Sequence, residues 1–251
     1  MIMNSFFFTT AYKTQSRKGN FTYYNELSQY RFFGYTITMI TFGIYCAVAA
    51  VNLVSAFFFK EGLRKITKGC LMPALLVFYV FAAESILVPV IAAIVFCWAG
   101  DILLIKKDVP IFFRLGLAGF LLGHVFYITA FFILAGSINT LVLIISVVVT
   151  APLTVALLKL LNAPPAMKKP VTVYAAVIML MSISALLLML ARPLCAGFLI
   201  FAASLVFLFS DTFMAYLLFH GKPKHFNVIT MLPYIIAQGG LIVGLVLGAG
   251  L

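Results

Sequence analysis

Two aspartates stand inside long apolar stretches of this sequence, Asp101 in WAGDILLIKK and Asp211 in FLFSDTFMAY. A histidine, His124, stands in a third stretch, GFLLGHVFY, and a lysine, Lys68, opens a fourth in ITKGCLMP. Ionisable groups cost about 2.5–3.5 kcal/mol or more each at the centre of a bilayer, so those that persist there face the bundle interior and carry function. A carboxyl in low dielectric resists ionising, and two placed close together settle as one acid and one base. That pairing suits the addition of water across a reactive bond and requires no nucleophilic serine. GxSxG, HExxH, P-loop and Rossmann fingerprints do not occur in the sequence. The residues alone leave two classes open. One is a hydrolytic membrane enzyme with a carboxylate pair; the other is a carrier for a lipid or small solute that uses the carboxylates as a proton or cation relay.

Each polar residue also has a plainer reading. Lys68 reads as a snorkelling loop charge, and Tyr174 as an interfacial aromatic. His124 with Tyr127, at i and i+3 on one helical face, reads as an interhelical hydrogen bond. His220 and His225, in HGKPKH, have no carboxylate or cysteine beside them, so no metal site is expected there.

The elements that must hold these residues follow from composition. Hydrophobic residues make up 65% of the 251 positions, charged residues 9%, and mean hydropathy is +1.18. A soluble domain carries about a quarter charged residues. The apolar runs are long and unbroken, as in 141–161, which excludes the short alternating segments of a barrel and leaves helices. The expected fold is therefore all-α, a polytopic membrane protein with a bundle of about eight transmembrane helices. At about 20 residues per crossing, the spans fall at 32–59, 70–83, 86–105, 111–135, 138–160, 171–191, 194–219 and 226–248. Residues 1–30 read as a polar and aromatic N-terminal extension and 31–251 as the transmembrane domain. Tight connections are expected around Glu84 and Ser85 and at Gly136 and Ser137. Glycines at 119 and 123, and at 240, 244 and 248, mark close helix packing. The four cysteines (Cys46, Cys70, Cys97, Cys195) form no CxxC and read as packing residues.

The net charge of +11 does not point to nucleic acid, because the basic residues lie scattered at the ends of apolar runs. Connections after the odd-numbered spans carry twelve of them: Lys60, Arg64, Lys65, Lys68, Lys106, Lys107, Arg114, Lys159, Lys168, Lys169, Lys222 and Lys224. Those after the second, fourth and sixth spans carry only Arg192. The positive-inside rule puts the basic set in the cytoplasm and both termini outside, against the dissent of Lys13, Arg17, Lys18 and Arg31 near the N-terminus. The expected membrane is a bacterial inner membrane or a eukaryotic endomembrane, between which the sequence does not choose. At 1.5 Å per residue, Asp101 lies about 7 Å from Lys106, Asp211 about 15 Å from Lys222, and His124 some 15–20 Å from Arg114. Lys68, Tyr174, Tyr234 and Gln238 enter from the same side. Six helices thus place polar groups in one half of the bilayer, where they would make a single cavity able to admit an amphiphile.

Taken in order, KGCLMP, AGDILL, GFLLGHVFYITAF, Tyr174, FLFSDTFMAY and YIIAQGGLI resemble the YhhN/TMEM86 lysoplasmalogenase family, over roughly residues 60–245. The resemblance implies an eight-helix enzyme that hydrolyses the sn-1 vinyl ether of lysoplasmalogens. Its products are a fatty aldehyde and glycerophosphoethanolamine or glycerophosphocholine. The family's polar motif residues fall on Lys68, Asp101, His124, Tyr127, Ser210, Asp211, Tyr234 and Gln238. Asp101 and Asp211 would supply a general acid and an anion to stabilise an oxocarbenium ion, in either order. His124 would orient an aspartate or the water. Lys68, Tyr127, Tyr174, Ser210, Tyr234 and Gln238 would bind substrate, with Lys68 as a point charge for the phosphate. The implied partners are a lysophospholipid substrate and membrane lipids, with no cofactor, no metal and no nucleic acid; no motif encodes an oligomeric state.

Overall fold

An apolar run in lipid must satisfy its backbone polar groups internally, and the computed structural model of the protein is built almost wholly of helices. It describes residues 20–106, 108–136, 140–192 and 195–248. Residues 1–19 of the expected N-terminal extension lie outside the described residues, as do Lys107 and Ser137 in the expected connections and Leu194 at the start of the expected seventh span. The helices are α1 Asn20–Phe57, α2 Glu61–Ala82, α3 Val88–Leu103, α4 Pro110–Ala135, α5 Thr140–Leu161, α6 Pro165–Ala191, α7 Cys195–His220 and α8 Phe226–Gly248, with a 3₁₀ turn Leu104–Lys106 after α3. Eight helices among the described residues are long and apolar enough to cross a membrane. The protein is a polytopic α-helical membrane protein.

Local chemistry sets the ends. Prolines stand in the first turn of α3, α4 and α6, where the missing N–H would have had no intrahelical partner. Gly136 closes α4 at φ 72°, a conformation glycine adopts without a Cβ clash. The α2–α3 connection is pinned where the Leu87 N–H donates to the Tyr79 hydroxyl at 2.9 Å. Helices α1 and α6 begin before their expected spans, at Asn20 and Pro165, and α2 does so in a way that bears on the cavity. The second was expected at 70–83, but α2 begins nine residues earlier, at Glu61. Its first turns carry Arg64, Lys65 and Lys68, which lower hydropathy without breaking the helix. Arg64 and Lys68 are turned inward and ion-paired, so polarity in this stretch marks an inner face and not a loop.

Seven helices close a ring in the order α1, α2, α3, α4, α6, α7, α8, with α8 returning to α1 and α2; α5 packs outside the ring on α6 and α7. Two glycine seams draw neighbours close. On α4, a Cβ at Gly119 would stand 3.0 Å from the Gly100 nitrogen, and one at Gly123 would stand 2.6 Å from Cys97 Sγ. On α8, a Cβ at Gly244 would lie 2.6 Å from Ile200 Cγ1, whereas one at Gly248 would make only ordinary contact. Close backbone approach of this kind replaces the hydrophobic drive that lipid removes. Cross-helix hydrogen bonds add to it: the Tyr45 hydroxyl donates to the Ile235 carbonyl at 2.8 Å, joining α1 to α8. Asn52 on α1 donates to the Arg64 carbonyl at 3.0 Å and to Thr67 Oγ1 at 2.9 Å, fixing the first turns of α2.

Candidate active site

The start of α2, the end of α3, the start of α4 and α6, the end of α7 and the start of α8 share one face of the bundle, the face whose connections carry most of the basic residues. Within that half the six helices line a cavity of about 640 Å³, its mouth included. Its walls include Lys68 from α2, Asp101 from α3, Phe120 from α4, Tyr174 from α6, Ser210 and Asp211 from α7, and Tyr234 from α8. The α3–α4 seam explains the place of Asp101. Gly100 and Gly119 bring the two backbones together, and the next residue, Asp101, is carried inward to 1% exposure.

The two carboxylates are held differently. Asp101 Oδ1 lies 3.2 Å from Lys68 Nζ, and its Oδ2 accepts a 2.6 Å hydrogen bond from the Tyr234 hydroxyl. Asp211, 9% exposed, accepts through Oδ2 from the Tyr174 hydroxyl, its one hydrogen-bonding partner among the described side chains. A buried ion pair without such bonds would be costly; Lys68, Asp101 and Tyr234 meet the need with three groups on three helices. Ser210, beside Asp211, reaches the Thr230 carbonyl at 3.5 Å, the outer limit of a hydrogen bond.

A second cavity of about 440 Å³, open space at its mouth included, adjoins the first and shares Leu117, Tyr174, Asp211 and Met214 with it. Its remaining lining is almost entirely apolar, including Phe113, Leu157, Leu161, Val171, Ile178 and Phe219. Leu157 and Leu161 come from the peripheral helix α5. Asp211 and Tyr174 therefore stand at the border between a polar chamber, with Lys68 and Asp101, and an apolar one.

Three of the residues singled out in the sequence lie elsewhere. His124 is fully buried, but among the described residues neither ring nitrogen makes a hydrogen bond of acceptable geometry, the Phe120 carbonyl one turn back included. Its ring packs edge-on against Tyr174 at 5.5 Å and Phe207 at 4.8 Å between centroids. Phe207 in turn packs on Tyr234 at 5.6 Å. His124 thus buttresses the two tyrosines that hold the aspartates and bonds to neither carboxylate. Tyr127 donates to Gln238 Oε1 at 2.8 Å in the buried core, joining α4 to α8. The amide nitrogen of Gln238 faces Cys97 and makes no hydrogen bond of its own among the described residues. His220 and His225 sit apart from the cavity, and no group of His, Cys, Asp or Glu able to hold a metal occurs among the described residues.

Sequence reasoning passed over Arg64 and Asn227, which line the end of the cavity nearest the connections. It assigned Arg64 to a loop. The signal lay in spacing: Glu61, Arg64 and Lys68 stand at i, i+3 and i+7, one face of a helix begun at Glu61.

A protein-family model described as the YhhN family matches residues 63–245. The chain belongs to the YhhN family. The match begins in the first turn of α2 and ends in the last turns of α8, so every YhhN cavity residue named above lies within it, while α1 lies outside. No curated protein and no solved structure matches the chain.

Proposed function

We propose that the protein is an integral-membrane lysoplasmalogenase, hydrolysing the sn-1 vinyl ether of a lysoplasmalogen to a fatty aldehyde and a glycerophospho-base. Membership of the YhhN family supports the reading, but one observation carries it. A buried carboxyl, Asp211, sits where a polar chamber meets an apolar one. In a lysoplasmalogen the vinyl ether likewise sits between the polar glycerophosphate and the hydrocarbon chain. With the polar glycerophosphate end in the polar chamber and the chain along Leu157 and Ile178, the reactive carbons come to Asp211.

The unequal partners divide the roles. Asp101 faces the Lys68 ammonium and serves as the carboxylate. Asp211, whose partner is the neutral phenol of Tyr174, serves as the acid. Asp211 gives its proton to the β-carbon of the vinyl ether; the π pair forms the C–H bond, and an oxocarbenium ion remains. Asp101 stabilises that cation across a water-poor site, where fixed charge acts most strongly. Water adds to the cationic carbon and returns a proton to Asp211. The hemiacetal then breaks its bond to the glycerol oxygen, which takes up a proton, and the chain carbon leaves as aldehyde.

The test is turnover of a lysoplasmenylethanolamine by purified protein in detergent and D₂O, with immediate reduction of the aldehyde. One deuterium is expected at C2, and an acyl lysophospholipid of equal length should survive. Aldehyde without C2 deuterium, or efficient cleavage of the acyl compound, overturns the mechanism. No aldehyde at all, in detergent where no gradient exists, returns the protein to the carrier class.

A further inference from the structure

Lys68, expected from the sequence to meet a substrate phosphate, is occupied by Asp101 at 3.2 Å. The charge that stands beyond it is Arg64, one turn nearer the connections on the same face of α2. Long basic side chains at a membrane edge usually extend toward water. Arg64 is instead 7% exposed and lines the cavity. It is held there by Glu61, whose carboxylate accepts from Nε at 3.1 Å and from Nη2 at 2.6 Å. Glu61 is half-exposed and also accepts from Asn227 Nδ2 at 3.3 Å, a contact that ties α2 to α8 at the cavity's end. Guanidinium carries five donors, and only Nε and Nη2 bond to Glu61.

The geometry points to the Arg64–Glu61 pair as the recognition site for a zwitterionic phosphodiester head group, Arg64 taking the phosphate and Glu61 the terminal ammonium. This deepens the reading above and rests on it. A cation and an anion side by side complement a head group that carries both charges, while a phosphate monoester would meet Glu61 with like charge. Placement agrees as well. Arg64 and Lys68 are separated by about 6 Å along the helix, the reach of one glycerol unit. A phosphate on Arg64 therefore sets the sn-1 ether beside Asp101 and the border at Asp211.

Three substrates separate the parts: lysoplasmenylethanolamine, the corresponding alkenylglycerol phosphate, and alkenylglycerol. Arg64→Gln should raise KM for the two phosphate-bearing substrates about 10–100-fold more than for alkenylglycerol, the worth of a charge-assisted hydrogen bond, with kcat little changed. Arg64→Lys should recover part of that loss. Glu61→Gln should lower kcat/KM for the ethanolamine diester and raise it for the monoester, narrowing or reversing the preference between them. Binding of a saturated ether lysophosphoethanolamine, which cannot turn over, is read in parallel by thermal shift. Loss of its binding in Arg64→Gln supports the site even if no substrate yields aldehyde, which is the outcome that defeats the catalytic reading alone. Equal penalties on all three substrates, or a preference for the diester over the monoester untouched by Glu61→Gln, overturn the proposal. Should Arg64→Gln fail to fold, Arg64→Lys and Glu61→Gln decide it through the same ratios.

Discussion

Asp101 and Asp211 are alike in sequence terms: each is a lone carboxylate in an apolar helix near the same face of the membrane. Folding makes them unlike. Asp101 receives an ammonium and a phenol and ends at 1% exposure. Asp211 receives, among the described side chains, a phenol alone, and opens onto an apolar chamber as well as a polar one. Acid catalysis on carbon needs such a difference, because one group must carry a proton while the other holds a negative charge beside it. Two equally paired carboxylates would offer two anions and no acid.

Substituting the aspartates themselves should have the largest effect. Asp101→Asn and Asp211→Asn are each expected to lower turnover by roughly 10²–10⁴-fold, the usual worth of a positioned acid or base. Thermal unfolding in detergent should then tell them apart. Asp101→Asn strands the Lys68 ammonium, and removing one member of a buried pair costs up to about 3–5 kcal/mol. Asp211→Asn breaks no ion pair and should cost no more than about 1 kcal/mol, one neutral hydrogen bond. Equal destabilisation of the two variants would erase the distinction between the sites.

The tyrosines give a smaller and sharper comparison. A hydrogen bond to a charged group contributes about 1.5–3 kcal/mol and one between neutral groups about 0.5–1.5. Tyr234→Phe should therefore slow turnover more than Tyr174→Phe. The reverse order would exchange the roles of the two aspartates. The smallest effect is expected at His124. Because it supports Tyr174 and Phe207 through edge-on ring contacts and bonds to neither carboxylate, His124→Gln should cost less than about tenfold, below the range for a group that moves protons. A hundredfold loss, or a displaced pH profile, would put the imidazole in the proton path after all.

The glycine seams show how far sequence spacing reaches. Gly119, Gly123, Gly240 and Gly244 could be read as close-packing positions because small residues four apart share a helical face. Which helices meet there could not be read. The α4 seam met α3, and the α8 seam met α7. The former carries Asp101 inward; the latter places Tyr234 and Asp211 on adjoining helices. Gly248, alike in spacing, makes only ordinary contact, since the end of a helix can diverge from its neighbour.

What the sequence determined by itself was the number of helices, the end of the bundle at which polar groups gather, and that Asp101 and Asp211 would lie there together. Those depend on composition and on depth along single helices, which are local quantities. The start of α2 escaped because ion-paired side chains on an inner face look, in one dimension, like a solvated loop. Tertiary structure alone decided that Lys68 belongs to Asp101, that His124 belongs to the tyrosines, that Arg64 turns inward, and that α5 lends Leu157 and Leu161 to an apolar chamber ending at Asp211. Each of these is a pairing between helices. Rotation about a helix axis costs nothing in the sequence of that helix, and only the packing of its neighbours fixes which partner each side chain meets.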